Sequence, residues 1–254
     1  MTRRTLAFAA LLTATAVPAL AHYGMIIPSD TMVMQEESRE ISMEVSFSHP
    51  FELDGMELVT PKVFRLYGPE GETDLLPSLN AATIMGAPGF SATLSITRPG
   101  LHVLYMEPQP YWEPAEDVFI IHHTKTYVAA FGEDDGWDEP HGLITEIVPL
   151  SKPYGLWAGN LFQGRVLRDG APVANAEVEV EFYNRDAGVT APSDYMITQT
   201  IKTDAEGVFS YAAPAPGWWG FAALTSADFQ LPIDGEMKDV ELGAVTWVHF
   251  EAWK

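Results

Sequence analysis

From residue 22 onward the chain is a succession of short runs rich in Val, Ile, Thr, Phe and Tyr, each broken by Gly, Pro, Asn or Asp, and no long stretch carries helical periodicity. Such runs fit strands and leave little room for helices, so the sequence predicts an all-β protein. Examples are "REISMEVSFSH" (39–49), "FSATLSITRPG" (90–100), "DVFIIHHTKTYVAAF" (117–131) and "AEVEVEFYN" (176–184). Within "SATLSI", Ala92, Leu94 and Ile96 alternate with Ser91, Thr93 and Ser95. Successive strand side chains point to opposite faces, so this is a half-buried strand.

Residues 1–21 have the layout of a cleavable secretory signal: Arg3 and Arg4, an apolar run from Leu6 to Val17, then Ala19-Leu20-Ala21. Cleavage would fall before His22 and place the product in the periplasm. The apolar run is about twelve residues against the roughly twenty needed to span a bilayer, so no membrane anchor is expected. There is no cysteine, which excludes disulfides, thiolate metal sites and a cysteine nucleophile. Cleavage removes two arginines and no acid, so the net charge of −21 becomes −23. Such an excess repels nucleic acid and attracts cations.

Composition changes between about 132 and 157, where "GEDDGWDEPHG" is an acidic loop and "PLSKPYG" reads as a connector. Two β-sandwich domains are therefore expected, 22–154 and 155–254, with the boundary near Tyr154. In the second half, "FQGRVLRDGAPVANAEVEVEFYN" and "TIKTDAEGVFSYAAPAPGWWGFAAL" each read strand, turn, strand, with turns at Asp169-Gly170 and Glu206-Gly207. The pattern resembles the immunoglobulin-like sandwich of carboxypeptidase-regulatory-like domains, a scaffold with many roles.

The chemistry rests on histidines. If cleavage falls before His22, its free α-amine and its imidazole can close a chelate ring on one cation. Both donors must be deprotonated to bind. His49 ends a strand directly before Pro50, which lacks the N–H that would continue pairing. His122 and His123 are adjacent on a strand and face opposite sides, so only one of them can join a given site. Imidazole and amine nitrogens suit nickel, copper, cobalt and zinc rather than calcium or magnesium. The acidic loop Glu133–Glu139 lacks EF-hand spacing and reads as solvated surface. The methionines read as core filling, and Tyr111-Trp112 and Trp218-Trp219 as core aromatics. G-x-S-x-G, H-E-x-x-H and P-loop motifs are absent from the sequence.

Taken together, "AHYGMIIPSD", "SHPFELDGMELVTPKVF", "PYWEPAEDVFIIHHTKTYVAAFG", "GWDEPHGLITEIVPLSKPYGLWAGNLFQGRVL" and "GWWGFAAL" resemble the DUF4198 family, and more narrowly its NikK-type periplasmic nickel-binding members. The resemblance spans essentially the whole mature chain. It implies a metal-binding component without enzymatic activity that works with an inner-membrane energy-coupling-factor nickel or cobalt transporter. Ni²⁺ would be the foremost cargo, with Cu²⁺, Co²⁺ or Zn²⁺ as alternatives and a small metal chelator as a further partner. His22, His49 and His122 lie in the family-like stretches, and His249 in "WVHFEAW" is the fourth candidate ligand. The competing reading is a copper histidine-brace protein, either a carrier or a polysaccharide-acting oxygenase. A third is an adhesion or structural protein whose histidines are incidental.

Overall fold

The computed structural model describes residues 21–253. Of the leader expected over 1–21, all but Ala21 lies outside the described residues. The chain is all-β. Its principal strands are β1 (Tyr23–Pro28), β2 (Glu40–His49), β3 (Val63–Gly68), β4 (Ala87–Ser95), β5 (Gly100–Glu107), β6 (Val118–Ala130), β7 (Thr145–Pro149), β8 (Leu161–Arg168), β9 (Glu177–Phe182), β10 (Val208–Ala212), β11 (Gly217–Ser226) and β12 (Val240–Glu251).

One eleven-stranded sheet runs through the molecule with β9-β11-β12-β6-β5-β3 at its centre. Its middle is the parallel pairing of β6 with β12, in register from Phe119↔Val240 to Thr126↔Trp247. A five-stranded sheet containing β1-β2-β4 covers one face, and a four-stranded sheet of β7, β8, β10 and the short strand Ala171–Pro172 covers the other. The first sandwich buries Ile26, Val45, Phe64, Leu104, Ile120 and Val128. The second buries Ile147, Phe162, Val166, Val180, Phe221 and Val248. Ile120 stands opposite Glu241 across the seam, and Val248, seven residues further along β12, points the other way, so the two cores lie on opposite faces of the shared sheet. Each fully buried apolar side chain contributes about 1.5–3 kcal/mol, which makes both cores substantial.

Half-buried alternation holds where expected: Ala92 and Ile96 are buried and Thr93 and Ser95 exposed. The Asp169-Gly170 turn has φ of 51° and 75°, the two positive values that a tight I′ hairpin needs. Met25, Met43 and Met106 are core residues, as are Trp218 and Trp219.

The two sandwiches are less separate than the linker composition suggested. Ile147, on β7 before the expected boundary at Tyr154, already belongs to the second core, and β12 returns from the second half to pair with β6 of the first. An acidic, Pro- and Gly-containing loop marks exposure of a connection and does not reveal which sheet its flanking strands join.

β1 lies over the seam, buried along its whole length. Tyr23, Met25 and Ile27 pack on Ala222, Val245 and Trp247, while Ile26 enters the first core. Trp247 Nε1 donates to the Gly24 carbonyl at 2.8 Å and Thr126 Oγ1 donates to the Ile26 carbonyl at 2.7 Å. Gly24 permits this approach, because a Cβ there would collide with Thr124 Oγ1. An edge strand is thereby pinned, and the residue before it, His22, is fixed in place.

Candidate metal centre

Antiparallel pairing of β1 with β2 sets Tyr23 opposite Ser48, so His22 falls opposite His49 one step further on. Their rings meet edge to face with centroids 4.6 Å apart. His122 reaches the same place from β6 beneath. The Phe47 ring lies between, 5.7 Å from His22 and 5.7 Å from His122. All three histidines are buried, with exposures of 8% for His22, 7% for His49 and 1% for His122.

Space for His122 is made by the neighbouring strand. Across the seam stands Gly243, and a Cβ there would lie 2.6 Å from His122 Nε2 and closer still to Cδ2. Any other residue at 243 would occupy the volume of the imidazole.

Two carboxylates border the cluster. Glu113 Oε2 is 3.1 Å from His22 Nε2, and Glu113 Oε1 accepts from the Ala115 N–H at 2.9 Å. Glu241 Oε1 is 3.5 Å from His122 Nε2. Tyr111, two residues before Glu113, has its ring 6.3 Å from His22. Burial, followed by the neighbouring His49 and His122, pushes the His22 imidazole down to about 4 despite the opposing pull of Glu113. Burial likewise lowers His49, against the opposing Asp54 and Glu113. Both rings are therefore poised to be neutral, the form in which imidazole binds metal.

Among the described residues, three nitrogens of the cluster have no protein partner: His49 Nδ1, His49 Nε2 and His122 Nδ1 are buried and make no hydrogen bond. An unmet buried polar atom costs about 1–3 kcal/mol, and since a neutral imidazole carries one lone pair, His49 and His122 can each offer one to a ligand that consumes lone pairs. Among the described residues no three His, Asp or Glu side chains already stand close enough to enclose a metal ion. The cluster is an open one, and the His22 nitrogen is still in peptide linkage to Ala21.

His249 does not join it. It lies six residues beyond Gly243 on β12, about 20 Å along the strand at roughly 3.3 Å per residue. There it packs on Trp218, with ring centroids 5.2 Å apart, and its Nδ1 pairs with Glu251 at 3.2 Å. The spacing of a lone histidine in a terminal strand gave no information on which end of that strand faces the site.

Strand alternation admits only one of His122 and His123, and it is His122 that packs into the cluster. His123 points to the opposite face of β6, where Tyr105 Oη lies 2.8 Å from its Nδ1. On that face Lys125 Nζ donates to Glu146 at 2.6 Å, and Glu146 also accepts the backbone N–H groups of His141 and Gly142, while Tyr127 Oη and His141 Nδ1 make no hydrogen bond among the described residues. His102 Nδ1 pairs with the Gly100 carbonyl at 3.1 Å, and His141 packs on Tyr67. A cavity of about 650 Å³ is lined by Tyr67, Glu133, Asp135 and His141 and by none of the three clustered histidines.

Glu113, Glu241, Phe47 and Gly243 escaped sequence reasoning. Glu241 carried a legible signal, an acid inside the apolar strand "VELGAVTW" two residues before a glycine. Glu113, in an irregular Pro-flanked stretch, carried none.

Comparison with known proteins gives a family and little else. The DUF4198 family, described as a domain of unknown function, matches residues 19–227. No curated protein is similar enough to match the chain. Among solved structures, a domain of Intimin is 12% identical with a TM-score of 0.23, covering 91% of this chain and 100% of its own. Fibronectin(III)-like modules of CbhA from Clostridium thermocellum are 7% identical with a TM-score of 0.24, covering 90% and 95%. Ig tandem domains of titin are 8% identical with a TM-score of 0.21, covering 91% and 97%.

Proposed function

Because the chain belongs to the DUF4198 family, whose membership alone assigns no activity, we propose its function from the histidine cluster. The protein captures a divalent transition metal in the periplasm, nickel foremost, and delivers it to an inner-membrane uptake transporter. The observation that carries this reading is the set of buried, unpartnered imidazole nitrogens on His49 and His122 beside His22. Signal cleavage before His22 adds the α-amine, so one residue supplies two donors. His49 and His122 add nitrogens from two other strands, and water or a small chelator carried with the metal fills what remains. Nitrogen donors of this kind accept Ni²⁺, Cu²⁺, Co²⁺ and Zn²⁺. Copper binds tightest in the usual affinity order, so the supply of metal in the periplasm decides among them.

The burial of the cluster favours a carrier over the polysaccharide-acting copper oxygenase. With Ala21 still attached, His22, His49 and His122 are each under a tenth exposed, whereas a polymer needs an open face. Of the aromatics that could have held sugar rings, Trp218 and Trp219 are buried as well, while Tyr111 and Trp112 are half-buried.

The reading is tested with the form that begins at His22, titrated calorimetrically with nickel beside a form carrying one extra residue before it. The expected result is tight binding in the first and a loss of at least tenfold in the second. Equal affinity removes the amine from the site, and absence of binding in both removes the function. Metal analysis of protein recovered from its own periplasm then identifies the cargo, and copper with peroxide-dependent polymer cleavage would install the oxygenase instead.

A further inference from the structure

Resting on the metal-capture reading, we propose that Glu113 is a positioning residue that turns the His22 imidazole so that Nδ1, and not Nε2, faces the bound cation. Among the described residues the one hydrogen bond to the His22 ring is at Nε2, 3.1 Å from Glu113 Oε2. An ionised carboxylate only accepts, so this contact places the ring proton on Nε2 and leaves the lone pair on Nδ1. The assignment matters because of covalent geometry. A cation held by the α-amine and Nδ1 of one histidine closes a six-membered ring, whereas Nε2 lies on the far side of the imidazole and cannot close a small ring with that amine. An acceptor fixed at Nε2 selects the tautomer in which both donors can act together.

Glu113 is itself held. Its Oε1 accepts from the Ala115 N–H at 2.9 Å, and its strand, Tyr111–Glu113, pairs with β6 from Tyr111↔Ile120 to Glu113↔Val118. The strand that carries His122 thus pairs with the one that carries the acceptor for His22. The Tyr111 and Phe47 rings, 5.0 Å apart, wall the imidazole on that side. Its side chain is 13% exposed, so the carboxylate's negative charge also stays close to the cation with little solvent between. Carboxylates that orient a ligating histidine are worth about 10–100-fold in metal affinity.

Nitrogen-15 NMR of the metal-free form beginning at His22 reads the tautomer directly. The expected spectrum has the proton on Nε2, and a His22 ring protonated on Nδ1 overturns the proposal. Nickel titration of Glu113→Ala is expected to show a 10–100-fold loss. Glu113→Gln, which keeps an acceptor oxygen for Nε2–H, should recover to within a few-fold of the parent. Unchanged affinity in Glu113→Ala, or a folded Glu113→Gln as weak as Glu113→Ala, overturns it. Should the alanine variant fail to fold, the tautomer measurement on the parent still decides. A parent with the expected tautomer that binds no nickel refutes the metal-capture reading and leaves the orientation intact.

Discussion

Gly243 and His122 occupy one volume: the imidazole lies flat across the glycine of the neighbouring strand, its Nε2 2.6 Å from where a Cβ would stand. The ring leans across the seam onto the register position of residue 243, where any side chain would meet it. His122 can turn toward His22 only because β12 gives up a side chain at its register partner. Gly243→Ala must therefore displace the imidazole, at an overpacking cost of about 1–3 kcal/mol. Nickel affinity should fall at least tenfold while the protein stays folded. Calorimetric titration beside a thermal melt checks this, and a variant with parental affinity would show that His122 does not coordinate.

Position along the β6–β12 seam predicts opposite outcomes for two histidines. His122→Ala removes a cluster nitrogen and should cost nickel binding at least tenfold. His249→Ala, at the far end of the same sheet face beside Trp218 and Glu251, should bind within twofold of the parent. Side-by-side titration of the two variants is the check. A large loss in His249→Ala would mean that the metal sits at the β12 terminus and not beside His22.

Most of the architecture was legible because strand periodicity is a local property. Alternation at Ala92, Leu94 and Ile96 and the Asp169-Gly170 turn each follow from a few adjacent residues. His22 and His49 were legible for the same reason, one by its cleavage motif and the other by Pro50. What the sequence could not give was long-range register. The β6–β12 pairing joins residues more than a hundred positions apart, and it alone decides that Gly243 underlies His122, that Glu241 borders it and that His249 stands six residues away. The fusion of two sandwiches onto one sheet is hidden for the same reason.

Buried neutral histidines make the metal-free fold acid-sensitive. His22 and His123 are both pushed down to about 4, each chiefly by burial. The unfolded chain binds protons near 6.5 and the folded one does not until about 4. The stability they contribute is therefore complete above pH 6.5 and is lost as pH falls through about 4. At about 1.4 kcal/mol for each tenfold change in proton affinity, the loss is on the order of a few kcal/mol per histidine. Thermal melts in chelator between pH 7 and 4 should show it. His123→Phe, outside the metal cluster, should start less stable because Tyr105 loses its partner, yet lose less on acidification. Parallel pH curves for parent and variant would refute the assignment.

Glu181 predicts the opposite dependence at higher pH. Its side chain is buried on β9, accepting from the Phe51 N–H at 3.0 Å and from Thr198 Oγ1 at 2.7 Å. Burial lifts its carboxyl to about 8, with Glu52 and Glu179 adding to the lift and the two hydrogen bonds opposing it. The folded state holds a proton that the unfolded state releases near 4.5, so this stability is complete below pH 4.5 and is lost as pH rises through about 8. Glutamine can keep both contacts, its oxygen accepting from Phe51 and its amide donating to Thr198, while carrying no charge. Glu181→Gln should therefore flatten the decline between pH 6 and 9 and melt higher than the parent at pH 9, by up to a few kcal/mol on the same scale. A Glu181→Gln variant whose stability falls with pH as steeply as the parent's would show that the carboxylate is ionised in the folded protein throughout.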